Sequence, residues 1–360
     1  MRKKILIIST VGLIYDGITS VILSYLQAMD RSGMDIYIAS TIKCENAIKD
    51  KIEGLQCHVV DFPSRRTKTS MYFFSLVSFV RKNKIDVLHA HGNSGTLAIE
   101  MMAAWIGGCK KRIAHSHNTK CDQVKADKLL RPIFNLFYTE AVACGNAAGF
   151  WLFGDKLFTV LSNGRDVKTF SFDENVRKRK RAELNLKGEI AIGHVGGFLE
   201  QKNHRFLLEI FKQILRIEPS SRLFLIGDGP LRAEIESAAQ EMKDSILFVG
   251  TTPQVADYLQ AMDGMLLPSL FEGLPLVAVE WQINGLSCVL SDRVTRECAF
   301  TDTCTFMPLE VSAREWAEKI IAEVKSNNRK EKSEKAAVKA KTCGFDIQDS
   351  AQKLRAIYCS

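Results

Sequence analysis

The chain opens on a short apolar run, KILIIST, followed by the loop VGLIYDG and by ITSVILSYLQAMD, whose apolar residues recur at helical spacing. A second apolar run, IYIAS, completes strand–loop–helix–strand, the βαβ unit of a parallel sheet. The alternation continues, with strands predicted at DVLHAH and RIAHSH and helices around residues 71–82 and 95–106. It then restarts at EIAIGHVGG (189–197) and runs through the helix HRFLLEIFKQILRI, the strand RLFLIG, the helix GPLRAEIESAAQ and the strands SILFVG and GMLLPS. Two such series predict an α/β protein with two parallel-sheet domains. Between them, around residues 162–188, the chain is polar and lacks a strand pattern, which marks a connection. Its RKRKR run (177–181) is expected to be one exposed face of a helix rather than a nucleic-acid site.

At 360 residues the chain is long for one core and comfortable for two. Its ten cysteines are scattered, with no Cys-x-x-Cys spacing, which speaks against a zinc site or a disulfide framework and for a reducing compartment. MRKKILIIS has a basic start but only a strand-length apolar run, so no signal peptide is expected. The apolar stretch YFFSLVSFV falls far short of a membrane span. These features together predict a cytoplasmic protein, or one held peripherally at the inner face of a membrane. Residues 1–170 carry 23 Lys/Arg against 14 Asp/Glu, whereas residues 171–360 carry 26 against 27. The first half, which holds all of the excess, is therefore the half expected to meet an anionic surface or ligand. Within it, SRRTKTSMYFFSLVSFVRKNK (64–84) joins basic ends to an apolar middle, the composition of an interfacial helix. The alternative is that Phe73, Leu76, Val77 and Val80 form the face packed on the sheet.

Several chemistries are excluded. Gly12 and Gly17 stand five apart, so the first turn lacks the dinucleotide fingerprint. No Gly-Lys-Ser/Thr closes a glycine-rich loop, and no Asp-x-Asp metal–nucleotide motif occurs. What remains is four glycine-rich turns in the second half, HVGGFLEQKN, IGDGP, FVGTT and FEGLP. Each follows an expected strand, which gathers all four at the sheet edge where open α/β folds bind ligands. The stretch SLFEGLPLVAVEWQ (269–282) sets Glu272 and Glu280 eight apart in an otherwise apolar run. Buried carboxylates need partners. Gly273 and Pro275 suit a tight turn running straight into a helix, whose free N–H groups would face an anion. In the first half, His89/His91 and His115/His117 are i, i+2 pairs, each pointing one way from its strand. Without nearby carboxylates or cysteines at ligand spacing, no metal site is expected there.

GHVGGFLEQKNH (193–204), LIGDGPLR (225–232), FVG (248–250), LLPSLFEGLPLVAVEWQINGLSCVLSD (266–292), SNGRDVKTF (162–170) and GFDIQDSAQKLRAIY (344–358) together resemble glycosyltransferase family 4 over essentially the whole chain. The resemblance implies a GT-B fold, two Rossmann-like domains facing a cleft, with the last helix crossing back to the first domain. The implied domains are residues 1–167 with 344–360, and residues 188–343. It also implies a retaining, metal-independent glycosyltransferase that uses a nucleotide-diphosphate sugar, probably UDP-linked, as substrate and needs no cofactor. The implied acceptor is a saccharide or lipid-linked precursor of an exopolysaccharide or another cell-surface glycan, and the implied partners include no nucleic acid. By the same resemblance Glu272 holds hydroxyls of the donor sugar, Glu280 holds the ribose, and Lys202 stabilises the leaving diphosphate. Gly196, Gly197, Thr251 and Gly273, with the amides of Leu274, Leu276 and Val277, line the donor. Gly17 lets the first loop approach the phosphates, His91 lies beside the reacting sugar carbon, and His117 and Asn118 lie on the acceptor side. Two departures stand out: Asp16-Gly17 replaces the common Gly-Gly, and Gly197 stands where members commonly carry arginine. Two alternatives stand beside this reading, a GT-B sugar epimerase and a non-catalytic member that binds a nucleotide sugar.

Overall fold

A computed structural model describes every residue except Met1, Tyr15, Lys43 and Asn327. The apolar runs of the first half become strands β1 (Lys3–Ser9), β2 (Met34–Ser40), β3 (His58–Asp61), β4 (Val87–His91), β5 (Lys111–Ser116), β6 (Glu140–Ala143) and β7 (Thr159–Val160). They form one sheet in the order β3-β2-β1-β4-β5-β6-β7, with every pairing parallel. All of β4 is buried, as expected of a parallel strand covered on both faces.

The second half repeats the scheme with β8 (Ala191–Val195), β9 (Arg222–Ile226), β10 (Ile246–Gly250), β11 (Gly264–Leu267), β12 (Ser287–Ser291) and β13 (Cys304–Met307). Their order is β10-β9-β8-β11-β12-β13, again with every pairing parallel. The helix His204–Ile217 buries Leu207, Leu208, Ile210, Phe211 and Ile214, the stripe that its 3.6-residue period dictates. These side chains fill the core beneath β8, β9 and β11 together with Trp316 and Ile320. In both sheets the strand order reverses direction beside the first strand, next to β4 in one and next to β11 in the other. Such switch points leave a crevice at the carboxyl ends of the strands, where these folds take ligands.

The chain divides into one compact unit of residues 1–164 with 346–360 and a second of residues 165–345. The last helix, Ile347–Cys359, thus rejoins the first unit, where it packs on the helix Gly17–Ala28. The polar stretch after residue 164 packs within the second unit, and here the structure corrects the expectation for the RKRKR run. On the helix Glu174–Glu183, Arg177 and Arg181 both pair with Asp263 and donate to carbonyls of Gln260, Ala261 and Met262. Lys180 lies buried with its ammonium 4.3 Å from the centre of the Tyr258 ring. Only Lys178 and Arg179 of the run are exposed. Four-residue spacing puts Arg177 and Arg181 on one face, and the carboxyl end of the helix Val255–Ala261, with Asp263 just after it, supplies the acceptors.

In the first unit, the helix Thr69–Asn83 buries Tyr72, Leu76 and Val80. Phe73 and Val77, expected in that stripe, are only half-buried, while Met71 and Phe74 are exposed. Arg65, counted among the basic ends, faces inward and makes a two-pronged ion pair with the buried Glu100, which also accepts from Tyr72. Arg66, Lys68, Arg81, Lys82 and Lys84 remain exposed.

Candidate active site

In the first unit the candidate residues sit where β1, β4 and β5 end. Parallel register places His91 beside His115, and the two i, i+2 pairs interlock into a stack of four imidazoles, three buried and His117 half-buried. His91 Nδ1 lies 2.8 Å from His117 Nε2, and His89 Nε2 lies 3.1 Å from His115 Nδ1. His89 Nδ1 is 2.7 Å from the hydroxyl of Tyr358 on the last helix. Burial pushes His89, His91 and His115 well below the usual histidine range and pushes His117 down to about 3, so all four are neutral near pH 7. His89, His91 and His115 bring nitrogens within 4.8 Å of one another, a grouping that neither i, i+2 pair discloses by itself. Those of His89 are already engaged, by Tyr358 and by His115.

Asn93, absent from the expected set, accepts from the backbone N–H of His117 and so fixes the turn after β5. Asn118 accepts from Thr119. Asp16 caps the helix Gly17–Ala28 by accepting from Thr19, while burial raises its pKa. Gly17 has open space where a Cβ would stand, so nothing among the described residues demands glycine there.

In the second unit the turns after β8 and β9 press backbone against backbone. A Cβ on Gly227 would lie 2.1 Å from the Gly196 carbonyl oxygen, and one on Gly196 would lie 3.0 Å from His194 Nε2 and 3.0 Å from the Lys202 stem. A Cβ on Gly196 would thus ask those side chains to give way slightly, whereas Gly227, with positive φ and backbone in its way, is required by packing. Gly197 is not, since its nearest neighbour to a Cβ is the Asp228 carbonyl oxygen at 3.5 Å. Thr251 follows Gly250 at the end of β10 and is exposed.

The turn after β11 brings Glu272 back over the β8 turn. Its carboxylate takes Lys202 Nζ at 2.6 Å, Ser269 Oγ at 2.9 Å and Gln201 Nε2 at 3.1 Å. Lys202 and Glu272, expected at the diphosphate and at the sugar of a donor, are thus partners, a consequence of β8 and β11 being neighbours. Gly273 and the buried Leu274 lead to Pro275, which caps the helix Leu276–Ile283. The amides of Leu276 and Val277 open that helix, where N–H groups lack intrahelical acceptors. Glu280, in its second turn, is buried and paired with Arg165 Nε at 2.8 Å. Burial raises the Glu280 pKa, and Arg165 opposes the rise. Beneath Lys202, burial and the Lys202 charge push His204 down to about 4.

A fold of two parallel Rossmann-like units with glycine-rich turns and paired carboxylates at a switch point defines a GT-B glycosyltransferase. Residues 4–143 match the family model "Glycosyl transferase 4-like", and residues 189–325 match "Glycosyl transferases group 1". The chain belongs to this glycosyltransferase family. It is 29% identical to the EpsF protein of Bacillus subtilis over 99% of its own length and 96% of that protein's. It is 28% identical to the UDP-Gal:alpha-D-GlcNAc-diphosphoundecaprenol alpha-1,3-galactosyltransferase of Escherichia coli over 62% of each chain. Anabaena HepE, solved in complex with UDP-glucose, has the same fold, with a TM-score of 0.82 and 17% identity over 98% of each chain.

Proposed function

We propose that this glycosyltransferase is a retaining, metal-independent enzyme moving a sugar from a UDP-sugar to a saccharide or lipid-linked acceptor during exopolysaccharide or cell-surface glycan synthesis. The observation that carries the proposal is the pair of carboxylates around one turn and one helix start. Glu272 is held beside Lys202, and Glu280 lies buried against Arg165. Glu280 takes the ribose hydroxyls, Glu272 takes hydroxyls of the sugar, and the amides of Leu276 and Val277 face the diphosphate. As the nucleotide departs, the sugar gains oxocarbenium character, and Lys202 with the helix start stabilises the departing negative charge. The acceptor then attacks from the same face, with His91 beside the sugar and His117 and Asn118 toward the acceptor. The full-length likeness to EpsF, the lipid-diphosphate acceptor of the Escherichia coli relative and the UDP-glucose bound by HepE support this reading. A panel of nucleotide sugars, scored by thermal shift and by nucleotide release, tests it directly; a panel without a single stabilising or turned-over donor would defeat it.

Activity is expected to survive EDTA, because the sequence holds no Asp-x-Asp motif for a metal–diphosphate. Full loss with EDTA and recovery with a divalent ion would overturn metal independence and direct attention to His89, His91 and His115.

Membrane contact through the first unit is part of the same proposal. No helix among the described residues is long and apolar enough to cross a membrane. Met71 and Phe74 stand exposed on a helix flanked by Arg66, Lys68, Arg81 and Lys82, the makings of an interfacial contact. The protein is expected to float with anionic liposomes at low salt and to be released at high salt. Absence of flotation at low salt would exclude this contact.

A further inference from the structure

Glu280 and Arg165 are separated by most of the second unit's sequence, yet each keeps less than a tenth of its side chain exposed and they meet at 2.8 Å. The segment bearing Arg165 is tied to the helix of Glu280 at more than one point. The Arg165 N–H donates to the Phe345 carbonyl, and the next residue, Asp166, caps the helix Val167–Phe170 through the Thr169 N–H. The carbonyl at the end of that short helix, Phe170, accepts from Asn284, the residue that closes the helix Leu276–Ile283. Arg165 therefore has a fixed place from which to hold the Glu280 carboxylate.

The chemistry of the pair follows from burial. A carboxylate out of water tends to take up a proton unless a cation stands beside it. A ribose diol brings two O–H donors and needs an acceptor, which the ionised carboxylate is throughout and the protonated acid is only in part. One carboxylate has about four acceptor positions, so engagement of Oε1 by Arg165 leaves capacity for the diol.

We propose that Arg165 is a positioning residue for nucleotide binding: paired with Glu280 inside the second unit, it keeps that carboxylate ionised and aimed, ready for the ribose hydroxyls. This rests on the assignment of Glu280 to the ribose. The segments packed against the Glu280 helix, residues 167–170, 287–291, 296–298 and 329–342, carry Lys168, Cys288, Arg296, Glu297, Cys298 and the charged residues of 329–342. Among the described residues, the charged group acting on the Glu280 carboxyl is Arg165.

The test is calorimetric titration of the full chain with UDP, and in parallel with GDP and ADP, over a pH series from mildly acidic to mildly basic. Arg165→Met should bind UDP about tenfold or more weakly at neutral pH, the scale of a lost hydrogen bond to a charged group. Removing the cation raises the Glu280 pKa, so affinity in this variant should fall as pH is lowered, beginning at a higher pH than in the unaltered protein. Arg165→Lys should restore both the affinity and the profile. Glu280→Gln should bind weakly with a flat profile. An Arg165→Met variant with unchanged affinity, or with weaker affinity but an unchanged pH profile, overturns the proposal. If that variant does not fold, Arg165→Gln carries the same two readouts. If Glu280→Gln binds UDP like the unaltered protein, the ribose assignment itself fails, whatever Arg165 does.

Discussion

Lys202→Ala is expected to lower turnover at saturating donor by about 100-fold or more, the scale of losing one preorganised donor at a developing charge. The resemblance to glycosyltransferase family 4 implies an arginine where this chain has Gly197, and a guanidinium there would give the leaving diphosphate a two-pronged, charge-assisted hydrogen bond. Without it, the proposed mechanism makes Lys202 the main cation, backed by the amides that open the helix at Leu276. The structure adds that Lys202 is already engaged by Glu272 at 2.6 Å, so a bound donor has to share or displace that contact. Gly197 has ordinary clearance for a Cβ, with the Asp228 carbonyl oxygen at 3.5 Å, so Gly197→Arg meets no steric bar at its root. That variant should leave turnover unchanged or raise it. Both are measured as initial rates of nucleotide release and sugar transfer. A Lys202→Ala enzyme close to the unaltered rate would remove Lys202 from the leaving-group role. Transfer that appears only in Gly197→Arg would make the native chain a non-catalytic binder of nucleotide sugars.

How far this architecture was legible in the sequence depends on the range of the interactions. The helix His204–Ile217 follows from its own apolar period, and the strands that carry the site follow from apolar runs bounded by glycine turns. These are local signals, and the sheet order completes them. Where strand order decides the outcome, the residues alone were silent. Lys202 and Glu272 were each legible as site residues, but their ion pair exists because β8 and β11 are neighbours across a crossover. Likewise each histidine pair was legible as two rings on one side of a strand. Only the parallel register of β4 and β5 turns two pairs into one stack of four neutral imidazoles.

The least legible features were charges that fold inward. The RKRKR run reads as solvated because long basic side chains are commonly exposed. Arg177, Lys180 and Arg181 depart from that rule because Asp263, three nearby carbonyls and the Tyr258 ring lie where the helix packs. Arg65 departs from it because Glu100 waits inside the first unit. Arg165 stands within SNGRDVKTF with no local sign of a role, since its partner lies on a distant helix. In each case the sequence supplies the cation, and only the fold supplies the reason to bury it.

The two glutamates are expected to fail in different ways. Glu280→Ala should weaken UDP binding about 10- to 150-fold, the range for hydrogen bonds to a charged group. It also strands Arg165, which is about as buried as its partner, and breaking such a pair commonly costs about 3–5 kcal/mol of stability. Its thermal midpoint should therefore fall together with its affinity, while Glu280→Gln, which keeps the shape, separates the two effects. Glu272→Ala should behave in the opposite manner. UDP lacks the sugar that Glu272 is assigned to hold, and removing Glu272 frees Lys202 for the diphosphate. UDP affinity should therefore hold or rise, while turnover with the UDP-sugar falls by about tenfold or more. The measurement is a matched set of UDP titrations and transfer rates on both variants. Unchanged UDP affinity in a folded Glu280→Ala protein would remove the ribose from Glu280, and a fully active Glu272→Ala enzyme would remove the sugar from Glu272. If both variants lost UDP affinity equally, the two carboxylates would belong to one nucleotide subsite, and the sugar would have to be held by residues elsewhere.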